Sequence, residues 1–409
     1  MIVAGGTYRE HVATGEHSED LGGSGFRAAA TLPTPDTILV TAVEPELSGL
    51  LSSAATTLQF EVVNAGRDKG VGFTYFAPFV EPVVHGSNAR LSAAQMVAGA
   101  DILSFGIIEG GERSFDAESF VYDPQTTNDP RLGSVIDLAP RRLALCANVL
   151  ETMAIGGGTS IEQAALSAAD VLGAAFAVTK AGARGCLVTD ASTREQHWVG
   201  AVPTDTVRKL GSGDVFSAAF AHAWFNGATA MEAARVASHG TAWWCGSPAD
   251  RIPAAILAGT SFEVPGGATE LGNNGHRPRV YLAGPFFTSA ERWLIDQCLS
   301  FLSQAGADVF SPVHAVGFGG PEVASKDLEG LRASDVVFAI LDGWDPGTLF
   351  ETGWAVNAGI PIVAVGANLN HVGTTMLAGT GAELHSDITT ALYRAIWVGL
   401  GAPIRSWNG

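Results

Sequence analysis

Cysteine is scarce in this 409-residue chain: there are four (Cys146, Cys186, Cys245 and Cys298), far apart and without C-x-x-C spacing. That pattern argues against a disulfide scaffold or a structural zinc site and fits buried thiols in a reducing compartment. Basic residues are also few. Lys and Arg number 23 against 41 Asp and Glu, a net charge of −18, and binding a nucleic-acid backbone needs clustered Lys and Arg. No apolar run approaches the roughly 20 residues of a membrane span. Residues 1–4 are strand-like, without the basic segment and apolar stretch of a signal peptide. The expectation is a soluble, cytoplasmic protein with neither a nucleic-acid nor a membrane partner. Small anionic ligands stay open, because one local pocket can oppose the global field.

What is present is apolar and regularly patterned. Apolar residues make up 47% of the chain and charged ones 16%, so it can bury two or three cores. Short β-rich runs alternate with Ala-rich helical stretches, the pattern of parallel α/β architecture. Strands are expected at 37–42, 101–105, 142–146 and 174–179, and helices at 213–225 and 229–244, the latter opened by Thr229 and Glu232 at capping-box spacing. Residues 264–278 hold four glycines, two prolines and two asparagines and read as a linker. A new α/β unit follows, with strands at 280–283, 308–310, 336–341 and 361–365 and helices at 290–304, 326–333 and 347–357. The expected division is 1–262, a linker at 263–278, and 279–409, giving two doubly wound α/β domains whose ligands sit at the carboxyl ends of the strands.

Three acidic residues of the second unit fall where chain ends meet that crevice: Asp327, Asp345 and Glu351. Asp345 is expected just before a helix and Glu351 in its first turn, with Thr348 and free backbone N–H groups nearby to hold an anionic oxygen. Chemistry at an anomeric carbon wants such a set. One carboxylate captures the oxocarbenium-like centre while a second acid protonates the leaving nucleobase. The plainer alternative is that Asp345 caps the helix and Glu351 answers its dipole. Three motifs stand in order: Tyr281-Leu282-Ala283-Gly284-Pro285-Phe286-Phe287, then Asp327-Leu328-Glu329-Gly330 ahead of Ala333-Ser334-Asp335-Val336-Val337, then Asp345-Pro346-Gly347-Thr348-Leu349-Phe350-Glu351. Together they resemble the nucleoside 2-deoxyribosyltransferase family, over residues 280–366. The resemblance implies a flavodoxin-like domain that needs no cofactor and has Glu351 as nucleophile. Asp345 and Asp327 would orient the sugar and protonate the base, and Tyr281 would position the nucleophile or the sugar. Gly284, Pro285, Phe286, Phe287, Gly347 and Thr348 would lie around the substrate. Where family members supply an Asn from a neighbouring subunit, this sequence has Thr374, with Asn370 upstream. Nucleoside or 5′-nucleotide, and transfer or hydrolysis, stay open.

In the first unit, Gly211-Ser212-Gly213-Asp214 precedes a helix. Such a turn aims backbone N–H groups at a phosphoryl group, and an Asp at its end can take a proton from an attacking hydroxyl. Asn148 and Glu151 form an N-x-x-E after a strand, suited to organising water and Mg²⁺ near phosphates without ligating the metal directly. Gly22-Gly23-Ser24-Gly25 lies near the start, and Thr179-Lys180-Ala181-Gly182-Ala183-Arg184-Gly185 follows another strand. This set resembles the ribokinase-like (PfkB) carbohydrate kinase family, over about residues 1–259. It implies a ribokinase-like fold, ATP and Mg²⁺ as cofactors, Asp214 as catalytic base and Gly211, Ser212 and Gly213 at the phosphates. The sequence departs from the family at several points. The Asp-Thr before the motif falls on Arg208-Lys209, with Asp205-Thr206 just upstream. The early sugar-gripping Asp falls near Glu10, and the Asn after the di-glycine falls on Arg27. The interval from Thr7 to Leu21 is so short that the β-lid is expected to be missing or reduced. Arg27 could meet a phosphate or carboxylate on the ligand, or be a surface residue in a salt bridge.

Both families handle pentoses. One expected function is cleavage or exchange of an N-glycosidic bond, coupled to phosphorylation or binding of a sugar or nucleoside. The alternative is a nucleotide-sensing or assembly protein whose silent kinase-like domain gates a nucleotide-depleting N-glycosidase. Both families commonly self-associate, so a homo-oligomer is expected. Of the other conspicuous residues, Trp243 and Trp244 read as core, His314 and His371 as loop hydrogen-bonders, and the segment from Glu109 to Glu112 as a solvated turn.

Overall fold

The computed structural model describes residues 1–13, 18–32, 36–77, 79–128, 141–272, 275–317, 319–367, 369 and 371–405. The chain divides into two compact units, one of Met1–Thr204 with Arg208–Ala268, the other of Asp205–Val207 with Thr269–Gly409.

The first unit is built on a nine-stranded sheet. Its strands are β1 (Ile2–Ala4), β4 (Ile38–Thr41), β5 (Glu61–Asn64), β8 (Gln95–Phe105), β9 (Arg113–Asp123), β10 (Arg142–Asn148), β11 (Phe176–Lys180), β12 (Cys186–Asp190) and β13 (Gln196–Val199). Their order is β13-β12-β11-β10-β9-β8-β1-β4-β5, with β12 antiparallel to both β11 and β13 and the remaining pairs parallel. The helices are α1 (Ser24–Thr31), α2 (Pro45–Leu58), α3 (Val149–Gly156), α4 (Ile161–Leu172), α5 (Ser212–Phe225), α6 (Ala230–Cys245) and the short α7 (Ala254–Leu257). Side chains alternate across the pleat. Val3, Leu39, Leu103 and Val178 bury against α1, α2, α5 and α6. Their neighbours Ala4, Val40, Ile102 and Ala177 bury with Ile155, Ala168 and Ala169 of α3 and α4. Helices thus cover both faces, which is why the strands read as continuous apolar runs rather than alternating ones. Helix α6 opens with the Thr229–Glu232 capping box that its sequence signals.

A second sheet of four strands begins in the interval where the β-lid was expected to be missing or reduced. It comprises β2 (Tyr8–Val12), β3 (Ser18–Gly22), β6 (Gly72–Tyr75) and β7 (Val83–His85), in the order β3-β2-β6-β7. The interval from Thr7 to Leu21 suffices for one antiparallel hairpin. The other two strands come from a region rich in Gly and polar residues, where pattern gives little signal.

The second unit carries five parallel strands rather than the four expected. They are β14 (Arg279–Ala283), β15 (Asp308–Phe310), β16 (Val336–Ile340), β17 (Ile362–Val365) and β18 (Glu383–His385), in the order β15-β14-β16-β17-β18. The last escapes a pattern search because it is three residues long and two of them are polar. Its helices are α8 (Ser289–Gln304), α9 (Pro312–Ala315), α10 (Pro321–Arg332), α11 (Pro346–Ala358), α12 (His371–Gly379) and α13 (Ile388–Gly399). Tyr281, Ala283, Val337 and Ala339 bury with Leu331, Ala355 and Leu377 of α10, α11 and α12, while α13 covers the opposite face. Helix α10 begins five residues before its expected start, with Pro321 in its first turn, where the missing N–H costs nothing. Strand order reverses at β14, so the crevice lies between the carboxyl ends of β14 and β16. Among the described residues no helix is long and apolar enough to cross a membrane.

Candidate active sites

In the second unit, β14 delivers Tyr281 and the loop after β16 delivers Asp345 and α11. Tyr281 is fully buried, stacked on Phe310 with ring centroids 5.6 Å apart, and its hydroxyl donates to Glu351 Oε1 at 2.7 Å. Glu351 is six residues beyond the cap Asp345 and therefore in the second turn of α11, not the first. One extra turn carries it away from the helix end and under the sheet edge, within reach of Tyr281. Asp345 does cap the helix. Its Oδ2 accepts from the backbone N–H of Thr348 at 2.7 Å and from the Thr348 hydroxyl at 2.9 Å. The residue before it, Trp344, holds a left-handed φ of 51°, a conformation a bulky side chain adopts only where its surroundings impose it. Asp327 projects from α10, and its Oδ1 is buried with no hydrogen-bond partner.

The electrostatics set these carboxylates apart. Burial, then the charges of Asp327 and Asp345, push the Glu351 carboxyl up to about 7, with the Tyr281 hydroxyl opposing the shift. Burial also raises Asp327. Tyr281 is held well above the usual phenol range by burial and by Glu351, so it stays a hydrogen donor. Among the described residues no Lys or Arg forms an ion pair with Asp327, Asp345 or Glu351. Of the remaining expected residues, Gly284 and Pro285 are buried, Gly347 is exposed and Thr348 is buried. Phe286 and Phe287 stack at 5.1 Å, with Phe287 left 63% exposed. Thr374 is buried, and Asn370 lies outside the described residues.

In the first unit, α1 packs hard against the end of β1. A Cβ at Gly25 would stand 2.5 Å from the Gly5 carbonyl carbon, so the glycines here permit helix and strand backbones to touch. That approach aims Arg27 at the start of α5. Its guanidinium donates to Asp214 Oδ2 at 2.7 Å and to Glu10 Oε2 at 2.5 Å. Arg27 is therefore not a surface residue, since its side chain is 16% exposed. The other Asp214 oxygen accepts from Gln125 at 3.2 Å. Burial raises the Asp214 carboxyl, with Arg27 opposing.

Behind this lies a network that sequence reading missed. Asp123, fully buried at the end of β9, pairs with Lys180 at the end of β11. Ser217 of α5 donates to Asp123 Oδ2 at 2.7 Å and accepts from Lys180 at 3.1 Å. Burial opposes the Lys180 ammonium, but Asp123, Cys146 and Glu151 together outweigh it and the pKa ends above its ordinary value. The only sequence signal was a polar residue closing each of two apolar strands. Asn148 and Glu151 form a reciprocal capping box, in which the Glu151 carboxylate accepts from the Asn148 N–H at 2.8 Å. Burial and Asp123 push its carboxyl up to about 7. A buried, capped and partly neutral Glu151 is a poor fit for organising Mg²⁺. No group of three or more His, Cys, Asp or Glu able to hold a metal occurs among the described residues.

Glu109 is not in the solvated turn expected for it. It is buried, and it accepts from the fully buried Arg67 at 2.7 Å and from the Tyr8 hydroxyl at 2.9 Å. Trp244 is buried, and it carries the Arg208 guanidinium 3.9 Å over its ring. Arg208 also pairs with Asp250 at 3.2 Å. His314 bonds to Ser311 and Asp296.

Residues 138–255 match the family model described as pfkB family carbohydrate kinase. Residues 280–386 match the one described as Nucleoside 2-deoxyribosyltransferase. Among solved structures the chain is similar to ribokinase from Thermotoga maritima (16% identity, covering 61% of this chain and 94% of that one, TM-score 0.44). It is also similar to adenosine kinase from Sinorhizobium meliloti (13%, 63% and 96%, 0.46) and fructokinase from Vibrio cholerae O395 (14%, 64% and 98%, 0.47). No curated protein matches it. The chain thus carries segments of two enzyme families in one order, a ribokinase-like kinase segment followed by a nucleoside deoxyribosyltransferase segment on a five-stranded flavodoxin-like sheet.

Proposed function

We propose that the second unit breaks or exchanges the N-glycosidic bond of a nucleoside or nucleotide, with Glu351 as nucleophile. The observation that carries this is the Tyr281–Glu351 contact at 2.7 Å beside two further carboxylates that no Lys or Arg among the described residues pairs with. A carboxylate held near a pKa of 7 is half ionised at neutral pH and more basic than an ordinary one, as a nucleophile requires. Its free oxygen attacks C1′ and forms a glycosyl ester while the C1′–N bond breaks. The departing base takes a proton from Asp327, whose raised pKa suits it to carry one, and Asp345 accepts from sugar hydroxyls. Water or a second base then attacks C1′, gives its proton back to the Asp327 carboxylate and releases the Glu351 carboxylate. The first unit binds a sugar or nucleoside at the carboxyl ends of its strands, and the whole works as a homo-oligomer.

Acid quenching during turnover, followed by mass spectrometry, tests the step. The peptide containing Glu351 should gain the mass of one dehydrated pentose. A burst of free base with unmodified Glu351 would exclude the ester. Tyr281→Phe provides a second check. The Tyr281 hydroxyl is what holds the Glu351 pKa down against burial and the neighbouring carboxylates. Without it, the rising limb of the kcat/KM profile should move above pH 7. Activity at pH 7 should drop by roughly tenfold for every pH unit by which that limb moves, with recovery at higher pH.

A further inference from the structure

We infer that Arg27 latches the first unit in a state closed to phosphoryl transfer, by tying the small sheet to the turn that opens α5 and by occupying the place an acceptor hydroxyl needs. A general base must offer a lone pair within about 2.6–3.2 Å of the proton it takes. Each Asp214 oxygen already accepts one hydrogen bond, from Arg27 at 2.7 Å and from Gln125 at 3.2 Å, so an acceptor hydroxyl would have to share an oxygen with one of them. The space beside them is filled as well. Gly211 holds a φ of +83°, and a Cβ there would stand 2.1 Å from Arg27 Cδ and Nε, so the arginine stem lies on the turn whose N–H groups would receive a phosphoryl group.

The second leg of the latch runs to the small sheet. Glu10, on β2, accepts from Arg27 at 2.5 Å with one oxygen and from the Gly23 N–H at 2.8 Å with the other. One guanidinium therefore bridges β2 and α5 from α1. The side chains are 12%, 16% and 11% exposed for Glu10, Arg27 and Asp214, a degree of burial at which breaking one partner strands the others. Charge balance adds to the closure. Among the described residues, Glu10, Asp214 and Asp123 face only Arg27 and Lys180 as paired cations, so polyphosphate would enter against an excess of negative charge. With Glu151 committed to its cap, the residues present do not fit transfer from Mg²⁺–ATP.

The full-length protein decides this with two measurements. Glu10→Ala cuts only the leg to the small sheet, and Arg27→Gln cuts both. Amide hydrogen exchange across residues 8–12 and 18–22 should quicken at least tenfold in both folded variants, while residues 142–148 keep their protection. ADP formation from Mg²⁺–ATP, with ribose, fructose, inositol or adenosine as acceptor, should be no faster in the wild type than in Asp214→Asn. Unchanged protection of the small sheet in Glu10→Ala overturns the latch. So does wild-type ADP formation that Asp214→Asn slows tenfold or more.

Discussion

Glu351→Gln should abolish base release, by about 1,000-fold or more, and at the same time make the protein more stable at pH 8. The folded-state carboxyl titrates near 7, against roughly 4.3 in an unfolded chain. A raised acid binds its proton more tightly when folded. Stability therefore falls as pH rises from about 4.3 to about 7, and the cost is complete above that. By pH 8 the ionised Glu351 costs on the order of 1–3 kcal/mol. Glutamine keeps an oxygen for the Tyr281 hydroxyl and carries no charge, so it removes the cost at pH 8 and changes little at pH 4. Urea unfolding at the two pH values measures the difference. Equal midpoints for variant and wild type at pH 8 would mean that Glu351 is neither strained nor tuned. A residue that destabilises the fold yet is indispensable to turnover is what an active site looks like energetically.

Arg394→Met should be the most damaging single change outside that site, costing about 3–5 kcal/mol. Arg394 and Glu383 are 1% and 2% exposed, joined by two hydrogen bonds of 2.5 and 2.7 Å. The arginine also donates to the Pro403 carbonyl at 2.8 Å, and Glu383 accepts from the Arg405 N–H at 3.0 Å, so the pair ties the segment after α13 to β18. Burial alone would raise the Glu383 carboxyl, but hydrogen bonds from Arg394 and His385 overcome it and bring it down to about 2. A depressed carboxylate stabilises the fold above its unfolded pKa, and that contribution is lost as pH falls from about 4.3 towards 2. In Arg394→Met the stranded carboxylate can take up a proton instead, so the penalty should shrink below pH 4. The double variant Arg394→Met with Glu383→Met should recover most of the loss, since an apolar pair of similar volume often replaces a buried ion pair without penalty. A single variant as stable as wild type at pH 7 would show that solvent reaches the pair.

How much of this could be read in the sequence depended on range. Runs such as Val336–Ile340 declare themselves because both faces are covered and every residue is apolar. Caps declare themselves because their partners lie three residues apart, as Thr229 and Glu232 do. The neighbourhood of the three residues was legible because Tyr281 lies within β14 while Asp345 and Glu351 follow β16, the strand beside it. The Tyr281–Glu351 hydrogen bond spans 70 residues, and no spacing rule predicts it. Long-range polar partners were the general blind spot. Asp123 with Lys180, Arg67 with Glu109, and Arg27 with both Glu10 and Asp214 are each set by tertiary packing, and each residue alone looks like ordinary surface charge. The small sheet was missed for a related reason: β6 is half-buried, β7 is exposed and both are short, so burial leaves little imprint on their composition.

The central claim is that this protein acts on the bond between a base and a pentose through Glu351. Chromatography of the full-length protein with nucleosides and their 5′-monophosphates, with and without a second free base, tests it most directly. The account predicts free base, or a new nucleoside where an acceptor is supplied, and no turnover by Glu351→Ala. Base release that Glu351→Ala retains in full, or no reaction with any member of the panel, would contradict it.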